Sequence, residues 1–480
     1  MEVPTDIQSL KDLVLLLLTR VSQLESDNAD LKVENMSIKA ENIILKAENA
    51  ELRNRLNLNS SNSHKPPSTD GLTKKPAIPQ SKGGTSGGQI GHTGKSLKMV
   101  SNPDRKIVHH VPTCPCCSKV FQASDVERII QKRQVFDIPE PRLEVTEHQL
   151  GVITCCGVEH TGVFPYGVNS LVQYGTNIKS LSVLLSTDYK MPFDKIEQLF
   201  SDIYKCTFNE STAITANNTC FEALAPIEKT IKSEILASHV VHFDETGMRV
   251  EGKLNWFHVA CTTLFTYLFV HPKRGKEALN AAESLINDFK NWAIHDCWKS
   301  YFDFTSCYHA LCNAHIIREL DNLIELDSLW AAEMRQLLFD LYKLSEKGTV
   351  IVENKQKWLE KYQIICQKAD KEEPPPIQGA RGKPKSTKGR NLLNRLTLHQ
   401  QGVLAFAFID HIPFTNNQAE RDIRCLKTKQ KVATSFRTFN GAQNYARIQG
   451  FVSSVRKHKL NVFQQIINVF DNKPVFLTSV

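Results

Sequence analysis

Three short segments place a carboxylate where it can take part in chemistry. Asp244 in VVHFDET and Asp296 in NWAIHDCWKSYF follow apolar runs, residues 240–243 and 292–294, that are typical of buried strands. An ionised carboxylate at the end of a buried strand needs a cation or a polar partner. Glu420 in NNQAERDIR begins a strongly basic helical segment. Two aspartates from strands and one glutamate from a helix can bind two divalent cations, Mg²⁺ or Mn²⁺, as enzymes that cleave phosphodiesters do.

Each aspartate has an acidic neighbour that competes for the same role. Glu245 is the rival of Asp244, and Asp303 is the rival of Asp296. Successive side chains of a strand point to opposite faces of the sheet, so only one of Asp244 and Glu245 can enter a shared site. If Asp244 enters it, Glu245→Gln is expected to leave the chemistry intact.

Basic residues are concentrated beside Glu420. The net charge is +8, and residues 421–459 contain ten Lys or Arg against one acidic residue, Asp422, while residues 381–390 contain five basic residues and no acidic one. Such stripes are the footprint of phosphate-backbone binding, and the alternative is a solvated basic face. Arg424 and Lys427 share the helix face of Glu420, although Arg424 can also form an ion pair with it. The candidate DNA-binding residues are Arg421, Arg424, Lys427, Lys429 and Lys431.

The thirteen cysteines are scattered, which is typical of reduced thiols, some of which bind metal. Cys114-x-x-Cys117 has the spacing of one pair of zinc ligands. Cys156 with His160, or Cys156 with Cys155, would supply the second pair. This predicts a small zinc-ribbon-like module with a structural Zn²⁺; the alternative is a remnant fold that no longer holds metal.

His309, Cys312 and His315 recur every three residues in a segment that we interpret as helical. Three ligands on one helix make a poor tetrahedral site, so we expect packing or supporting roles for them. His315 is the one expected to help shape the active site.

The first 56 residues carry an unbroken heptad repeat. Apolar residues occupy every d position: Leu10, Leu17, Leu24, Leu31, Ile38, Leu45 and Leu52. The a positions include Asn28, Asn35, Asn42 and Asn49, which fix register in a parallel two-stranded coiled coil. Charges at the g and e positions, such as Glu34 with Lys39 and Glu41 with Lys46, attract each other across such a dimer. The repeat therefore predicts a homodimer.

The order of elements after residue 238 indicates the catalytic fold. Three predicted strands, a helix over residues 276–291 and a fourth strand at residues 292–296 form the beginning of a ribonuclease-H-like α/β core. In that fold the first and fourth strands are adjacent, which would bring Asp244 and Asp296 together. Helices predicted at residues 305–346, 351–369 and 391–407 form an insertion before Glu420.

The chain divides by composition and pattern into seven predicted parts. These are a dimerising coiled coil (1–56), a basic flexible linker (57–106), a zinc-finger-like module (107–165), a helical region with a helix-turn-helix pattern for DNA binding (166–237), the first part of the ribonuclease-H-like core (238–304), a helical insertion with a basic loop (305–414) and the last part of the core with the helix of Glu420 (415–480).

Several motifs together resemble the transposases of the insertion sequence 66 family. The likeness covers nearly the whole chain and rests on NSSNSHKPPS, GGQIGHTGKSL, HFDETGMRV, HDCWKSYF, CNAHIIREL and NNQAERDIR. It implies an Asp-Asp-Glu transposase in which Asp244, Asp296 and Glu420 are catalytic. It also implies binding of terminal inverted repeats and target DNA, strand cleavage and strand transfer, and accessory proteins encoded by the same element.

A second interpretation is a DNA-binding protein derived from such a transposase, whose carboxylates no longer catalyse. In either case no membrane partner is expected, because the apolar run at residues 13–18 is too short to span a bilayer. We expect a bacterial cytoplasmic protein associated with the nucleoid.

The heptad repeat leads to a direct test. Residues 1–56 expressed alone are expected to sediment as a helical dimer, because the matched g and e charges favour a parallel pair. Sedimentation with cysteine crosslinking at the termini measures both the state and the direction. A helical monomer or an antiparallel pair would contradict the interpretation.

Overall fold

The structure, a computed structural model, describes residues 7–57, 97–165, 167–345, 354–376 and 386–475. Residues 97–164 and Glu197–Phe208 form one compact unit, and the rest of the described chain forms a second. Most of the expected linker at 57–106 and residues 377–385 of the basic loop lie outside the described residues. Within the described part of the chain, no helix is long and apolar enough to cross a membrane.

The chain begins with one long helix, α1 (Ile7–Asn57). It contains neither glycine nor proline, so nothing in its sequence interrupts the backbone ladder. Five leucines of the heptad repeat are more than half exposed: Leu17, Leu24, Leu31, Leu45 and Leu52. These leucines are not buried against any other part of the described chain. The coiled-coil dimer stays a prediction.

Residues 97–165 contain little regular structure. The strands β1 (Val152–Cys155) and β2 (Val158–Thr161) form an antiparallel hairpin. Its turn residues, Cys156 and Gly157, both have positive φ, as a two-residue hairpin turn of this hand requires. A second tight loop surrounds Cys114, whose carbonyl accepts from Ser118 N at 2.9 Å.

Four helices follow: α2 (Thr176–Val183), α3 (Phe193–Tyr204), α4 (Glu210–Ala223) and α5 (Ala225–Ala237). Helices α3 and α4 coincide with the two predicted helices of this region. The apolar faces of α2, α4 and α5 enter the largest core through Val183, Cys220 and Ile235. Whether α3 and α4 read DNA stays a prediction.

The central sheet contains β3 (Val240–Val250), β4 (Lys253–Cys261), β5 (Thr266–His271), β6 (Trp292–His295) and β7 (Tyr308–Leu311). The strand order is β5-β4-β3-β6-β7, and β8 (Ser435–Phe436) also pairs with β3. Strands β3, β4 and β5 are antiparallel, while β6 runs parallel to β3 and β7 parallel to β6. The predicted adjacency of the first and fourth strands of this sheet is confirmed.

Two helix predictions in this region are wrong. The helix expected at residues 276–291 is only α6 (Lys276–Leu279), because Leu285, Ile286 and Phe289 are all buried in the core and this packing outweighs helix propensity. The segment expected to be helical from residue 305 begins instead with β7. His309 therefore lies on a strand and does not share a helix face with His315.

Between β7 and the helix of Glu420 the described residues form five helices: α7 (Asn313–Ile324), α8 (Leu329–Ser345), α9 (Lys355–Glu372), α10 (Lys388–Leu398) and α11 (Gln400–Phe408). Their own core includes the fully buried Trp330. The single helix predicted at residues 391–407 is two helices that meet at His399. Gly402 lets α11 approach β7, since a Cβ there would lie 2.9 Å from His309 O.

The chain ends with α12 (Asn417–Ala433), β8, α13 (Phe439–Lys457) and α14 (Val462–Phe470). Ala419 and Ile423 of α12 enter a third core with Met248 and Val250 of β3. This contact lays α12 across the face of β3 that carries the even-numbered side chains.

Candidate active site

Asp244 and Asp296 lie at matching positions on adjacent parallel strands. His242 of β3 is paired with Ile294 of β6, and each aspartate lies two residues further along its chain. Asp296 directly follows the end of β6, and its Oδ1 accepts from Trp298 N at 2.9 Å. That bond orients the carboxylate at the strand end.

Glu420 reaches the same edge of the sheet on the first turn of α12. The residue that holds this helix start against β3 is Asn416, which is buried. Its Nδ2 donates to Phe243 O at 2.8 Å, and its Oδ1 accepts from His242 Nδ1 at 2.8 Å. The amide thus ties α12 to the two residues that precede Asp244.

The three carboxylates influence one another electrostatically. The pKa of Asp244 is well above its ordinary value because of burial and then the charge of Glu245, with further contributions from Asp296 and Glu420. Three carboxylates at one buried edge repel one another unless a cation intervenes. Among the described residues their oxygens do not form a group within 4.8 Å of one another, so the structure does not gather them around a single ion.

The donor set fits divalent cations that prefer oxygen. Oε1 of Glu420 is buried and lacks a hydrogen-bond partner among the described residues. An orphaned carboxylate oxygen beside a carboxylate of raised pKa is the pattern expected where a bound cation supplies the missing partner. Asp244, Asp296 and Glu420 are the residues that could hold such ions.

Glu245 points to the opposite face of β3, as alternation predicts. Its carboxylate forms an ion pair with Arg274 at 2.7 Å and accepts from Tyr301 Oη at 2.6 Å. Burial raises the pKa of Glu245, and the charge of Asp296 adds to this. Arg274 also lies over the ring of Trp298, 4.3 Å from its centroid. Through Tyr301 and Arg274, Glu245 therefore holds the segment that follows Asp296 from the opposite face of β3.

Asp303, the rival of Asp296, lies at the surface. Its side chain is 44% exposed and pairs with Lys276 at 3.3 Å. A solvated surface pair of this kind contributes little energy. Its role is a surface contact away from the three carboxylates.

A cysteine and a histidine lie beside Glu420. The ligand atoms of Cys312, His315 and Glu420 all lie within 4.8 Å of one another. Cys312 is the last residue before α7, and its Sγ accepts from Asn416 N at 3.1 Å. Burial raises the pKa of this thiol to about 11. The sequence does not predict that Cys312 and His315 lie beside Glu420, because their proximity depends on how the starts of α7 and α12 pack together in the fold.

The candidate DNA-binding residues of α12 fall into two groups. Arg421, Arg424, Lys427 and Lys431 are exposed. Burial lowers the pKa of Lys427 while the charge of Asp244 raises it, so this ammonium faces the active site. Lys429 donates to Ser186 O at 3.4 Å and lies over the ring of Tyr445, and burial lowers its pKa to about 8. Lys429 is therefore directed into the protein.

A buried ion pair that the sequence did not reveal fixes the middle of α12. Asp422 and Lys457 of α13 lie 2.5 Å apart, and both side chains are about nine-tenths buried. Lys457 Nζ also donates to Thr262 O and Phe265 O, and Asp422 accepts from Thr266 Oγ1 at 2.8 Å. The only signal in the sequence was that Asp422 is the single acidic residue of a basic stripe.

The proposed zinc ligands lie in the first unit. Cys114, Cys117, Cys156 and His160, with Cys155 as the rival, are partly or fully exposed. Backbone N–H groups of Cys117 and Cys116 lower the pKa of Cys114, as at a thiolate site. Across the described chain, the one group of three or more metal-ligating side chains within 4.8 Å is that of Cys312, so these cysteines are not assembled. Zinc binding here stays a prediction.

The charge of Asp244 makes metal-free stability depend on pH. A carboxyl whose pKa is raised on folding costs no stability below its unfolded pKa, and the cost grows as pH rises towards the folded pKa. We expect Asp244→Asn in chelator to raise the melting temperature by roughly 2–4 °C at a pH of about 8 and to have no effect at about pH 4. Thermal scans with and without Mg²⁺ measure this. Lower stability of the variant at alkaline pH would contradict it.

Removing only one partner of the buried Asp422–Lys457 pair is expected to lower the free energy of unfolding strongly. Lys457→Met leaves Asp422 buried without its cation and is expected to cost about 3–5 kcal/mol of unfolding free energy. Lys459→Met, at an exposed position two residues on, is the matched control and is expected to change stability by less than about 0.5 kcal/mol. Urea unfolding measures both. Equal effects of the two substitutions would contradict a role for the pair.

Comparison with known families identifies the chain. A family model described as "Transposase IS66 family" matches residues 172–444, which include Asp244, Asp296 and Glu420. A second model, a family of unknown function named DUF6444, matches residues 18–98. No curated protein matches the chain. The first match covers more than half of the 480 residues and confirms the resemblance, so the chain belongs to the IS66 family of transposases and is a DNA-binding, DNA-acting protein.

Proposed function

We propose that this transposase cleaves and transfers DNA strands with two divalent cations held by Asp244, Asp296 and Glu420. The observation that carries the proposal is the raised pKa of Asp244 among Asp296 and Glu420, beside the orphaned Oε1 of Glu420. The strand order β5-β4-β3-β6-β7, with three antiparallel strands followed by two parallel ones, supports a ribonuclease-H-like core.

The bound ions, Mg²⁺ or Mn²⁺, would activate the attacking water or 3′-hydroxyl and stabilise the leaving oxygen. The protein's own part is to fix the ligands. Trp298 N orients Asp296, and Asn416 holds the start of α12, from which the charge of Glu420 acts on Asp244. Arg424 and Lys427, exposed on the face of α12 that carries Glu420, would bind phosphates beside the ions.

The remaining parts would serve DNA recognition and assembly. We propose that α1 pairs two copies in a parallel coiled coil, and that the cysteine module binds a structural Zn²⁺. The DNA substrates would be the terminal inverted repeats of the element and its target, read in part by α3 and α4. Accessory proteins of the same element would join this complex at the bacterial nucleoid.

The decisive variant is Glu420→Gln. An amide keeps the shape of the side chain but removes the charge that holds the second ion, so we expect loss of cleavage with DNA binding nearly unchanged. Asp244→Asn and Asp296→Asn are expected to behave alike, because a two-metal site fails as a unit. Cleavage of terminal-repeat DNA with Mg²⁺ or Mn²⁺, beside a gel-shift measurement, tests this.

Glu245→Gln is the matched control for charge removal. It keeps the three ligands but leaves Arg274 without its buried carboxylate, so we expect a loss of about 1–3 kcal/mol in stability with cleavage retained below the melting transition. Comparing Glu420→Gln with Glu245→Gln thus distinguishes a loss of catalysis from a loss of stability. Cleavage by Glu420→Gln at the parent rate would mean that the chemistry takes place elsewhere in the chain. A parent chain that binds terminal-repeat DNA and never cleaves it would favour the alternative, a DNA-binding derivative whose carboxylates no longer catalyse.

A further inference from the structure

We propose that Cys312, His315 and Glu420 form a binding site for one thiophilic divalent cation, represented by Zn²⁺. Their three ligand atoms lie within 4.8 Å of one another, and His315 Nε2 is 4.0 Å from Glu420 Oε1. No other group of this kind occurs in the part of the chain that the structure describes. Glu420 is the one residue that this site shares with the proposed two-ion site. Cys312 and His315 belong to this site alone.

The donor types select the ion. Mg²⁺ takes oxygen ligands in octahedral geometry and binds sulfur and imidazole poorly. One thiolate, one imidazole and one carboxylate are donors that Zn²⁺ accepts, and three protein ligands with one open position form a common zinc arrangement. In a tetrahedral site, ligand atoms at ordinary zinc distances are roughly 3.3–3.8 Å apart, so closure requires shifts of about 1 Å at side-chain ends.

The backbone holds the three donors in place before any ion arrives. Cys312 caps the start of α7, and its Sγ is fixed by Asn416 N, which begins α12. Asn313 adds two bonds, from its N to Phe414 O at 3.0 Å and from its Nδ2 to Val403 O at 3.0 Å. The bond from Asn416 N to Cys312 Sγ therefore joins the residues directly before α7 and α12, and each helix contributes one ligand to the site.

Two observations beyond spacing point to a cation. Glu420 Oε1 is buried and lacks a hydrogen-bond partner among the described residues, and it is the oxygen that faces His315. Cys312 is 1% exposed, so the thiol is enclosed and its sulfur is directed towards the start of α12. A cation between the two helices would satisfy the oxygen that the protein leaves without a partner.

Sharing Glu420 has a regulatory consequence, and this step rests on the proposed function. A carboxylate held by Zn²⁺ against α7 is withdrawn from the ions that Asp244 and Asp296 would bind. Zn²⁺ would then inhibit cleavage by competing for one ligand. Binding of Zn²⁺ itself does not depend on whether the chain cleaves DNA.

The test of binding uses Co²⁺ as a spectroscopic probe in the full-length chain. Cys114, Cys116, Cys117, Cys155 and Cys156 are first replaced by serine, so that thiolates of the other module do not contribute. We expect about one Co²⁺ per chain with a sulfur-to-cobalt charge-transfer band, displaced by Zn²⁺. Cys312→Ser in the same background, which keeps an acceptor for Asn416 N, is expected to lose the band.

Two further variants make the outcome decisive. His315→Gln is expected to weaken Co²⁺ binding at least about tenfold, whereas Cys307→Ser, at a buried cysteine outside the cluster, is expected to retain it. Circular dichroism confirms that each variant folds. An unchanged band in Cys312→Ser, or its loss in Cys307→Ser as well, would overturn the proposal.

Cleavage assays then test the regulatory step. With Mg²⁺ present, added Zn²⁺ is expected to lower parent cleavage at least tenfold and to lower Cys312→Ser cleavage by less, each relative to its own zinc-free rate. Equal inhibition of both would overturn the regulatory step. If the chain shows the thiolate-cobalt band but never cleaves DNA, the site formed by Cys312, His315 and Glu420 is supported. The proposed two-ion function is then the part that is contradicted.

Discussion

The hydrogen bonds of Asn416 are the constraint on which the candidate site depends. They join residues 173 and 174 positions apart in the chain and connect the start of α12 to β3 just before Asp244. Asn416 N also donates to Cys312 Sγ, so one buried residue links α12 to both β3 and the start of α7. Its amide offers a donor and an acceptor at once, and each finds a partner of the opposite kind. An apolar residue of similar size would leave Phe243 O and His242 Nδ1 buried and unpaired.

The ion pairs around Asn416 leave negative charge unpaired at one edge of the sheet. Glu245 has Arg274, and Asp422 has Lys457, each within ion-pair distance. Asp244 has no comparable ion pair among the described residues, and the charge of Lys427 acts on it only from the exposed side of α12. Because burying unpaired charge is costly, the negative charge left over is confined to the edge where Asp244, Asp296 and Glu420 meet.

Local patterns were enough to predict strands β3 to β6 and the adjacency of β3 and β6, while the catalytic roles of Asp244, Asp296 and Glu420 stay a prediction. Strands β3 to β6 have apolar, β-branched and aromatic runs, and the parallel neighbours Asp244 and Asp296 follow from their order. Strand β7 was missed because YHAL is short and runs directly into α7, so the spacing of His309 and His315 imitated a helix. The polar pairs that hold α12, Asn416 with His242 and Asp422 with Lys457, could not be predicted, since no periodicity links residues so far apart.

The way α12 is held gives a reason for the proposed metal ligand and the proposed phosphate-binding residues to share one helix. Its start is fixed by Asn416, its middle by the Asp422–Lys457 pair, and its end by β8, which pairs with Arg249 and Val250 of β3. A helix held at three points keeps a constant distance between Glu420 and the exposed Arg424 and Lys427. Phosphates bound by those two side chains would then lie at a set distance from Asp244. Catalysis by positioning requires this rigidity, since small displacements of the reacting groups are costly.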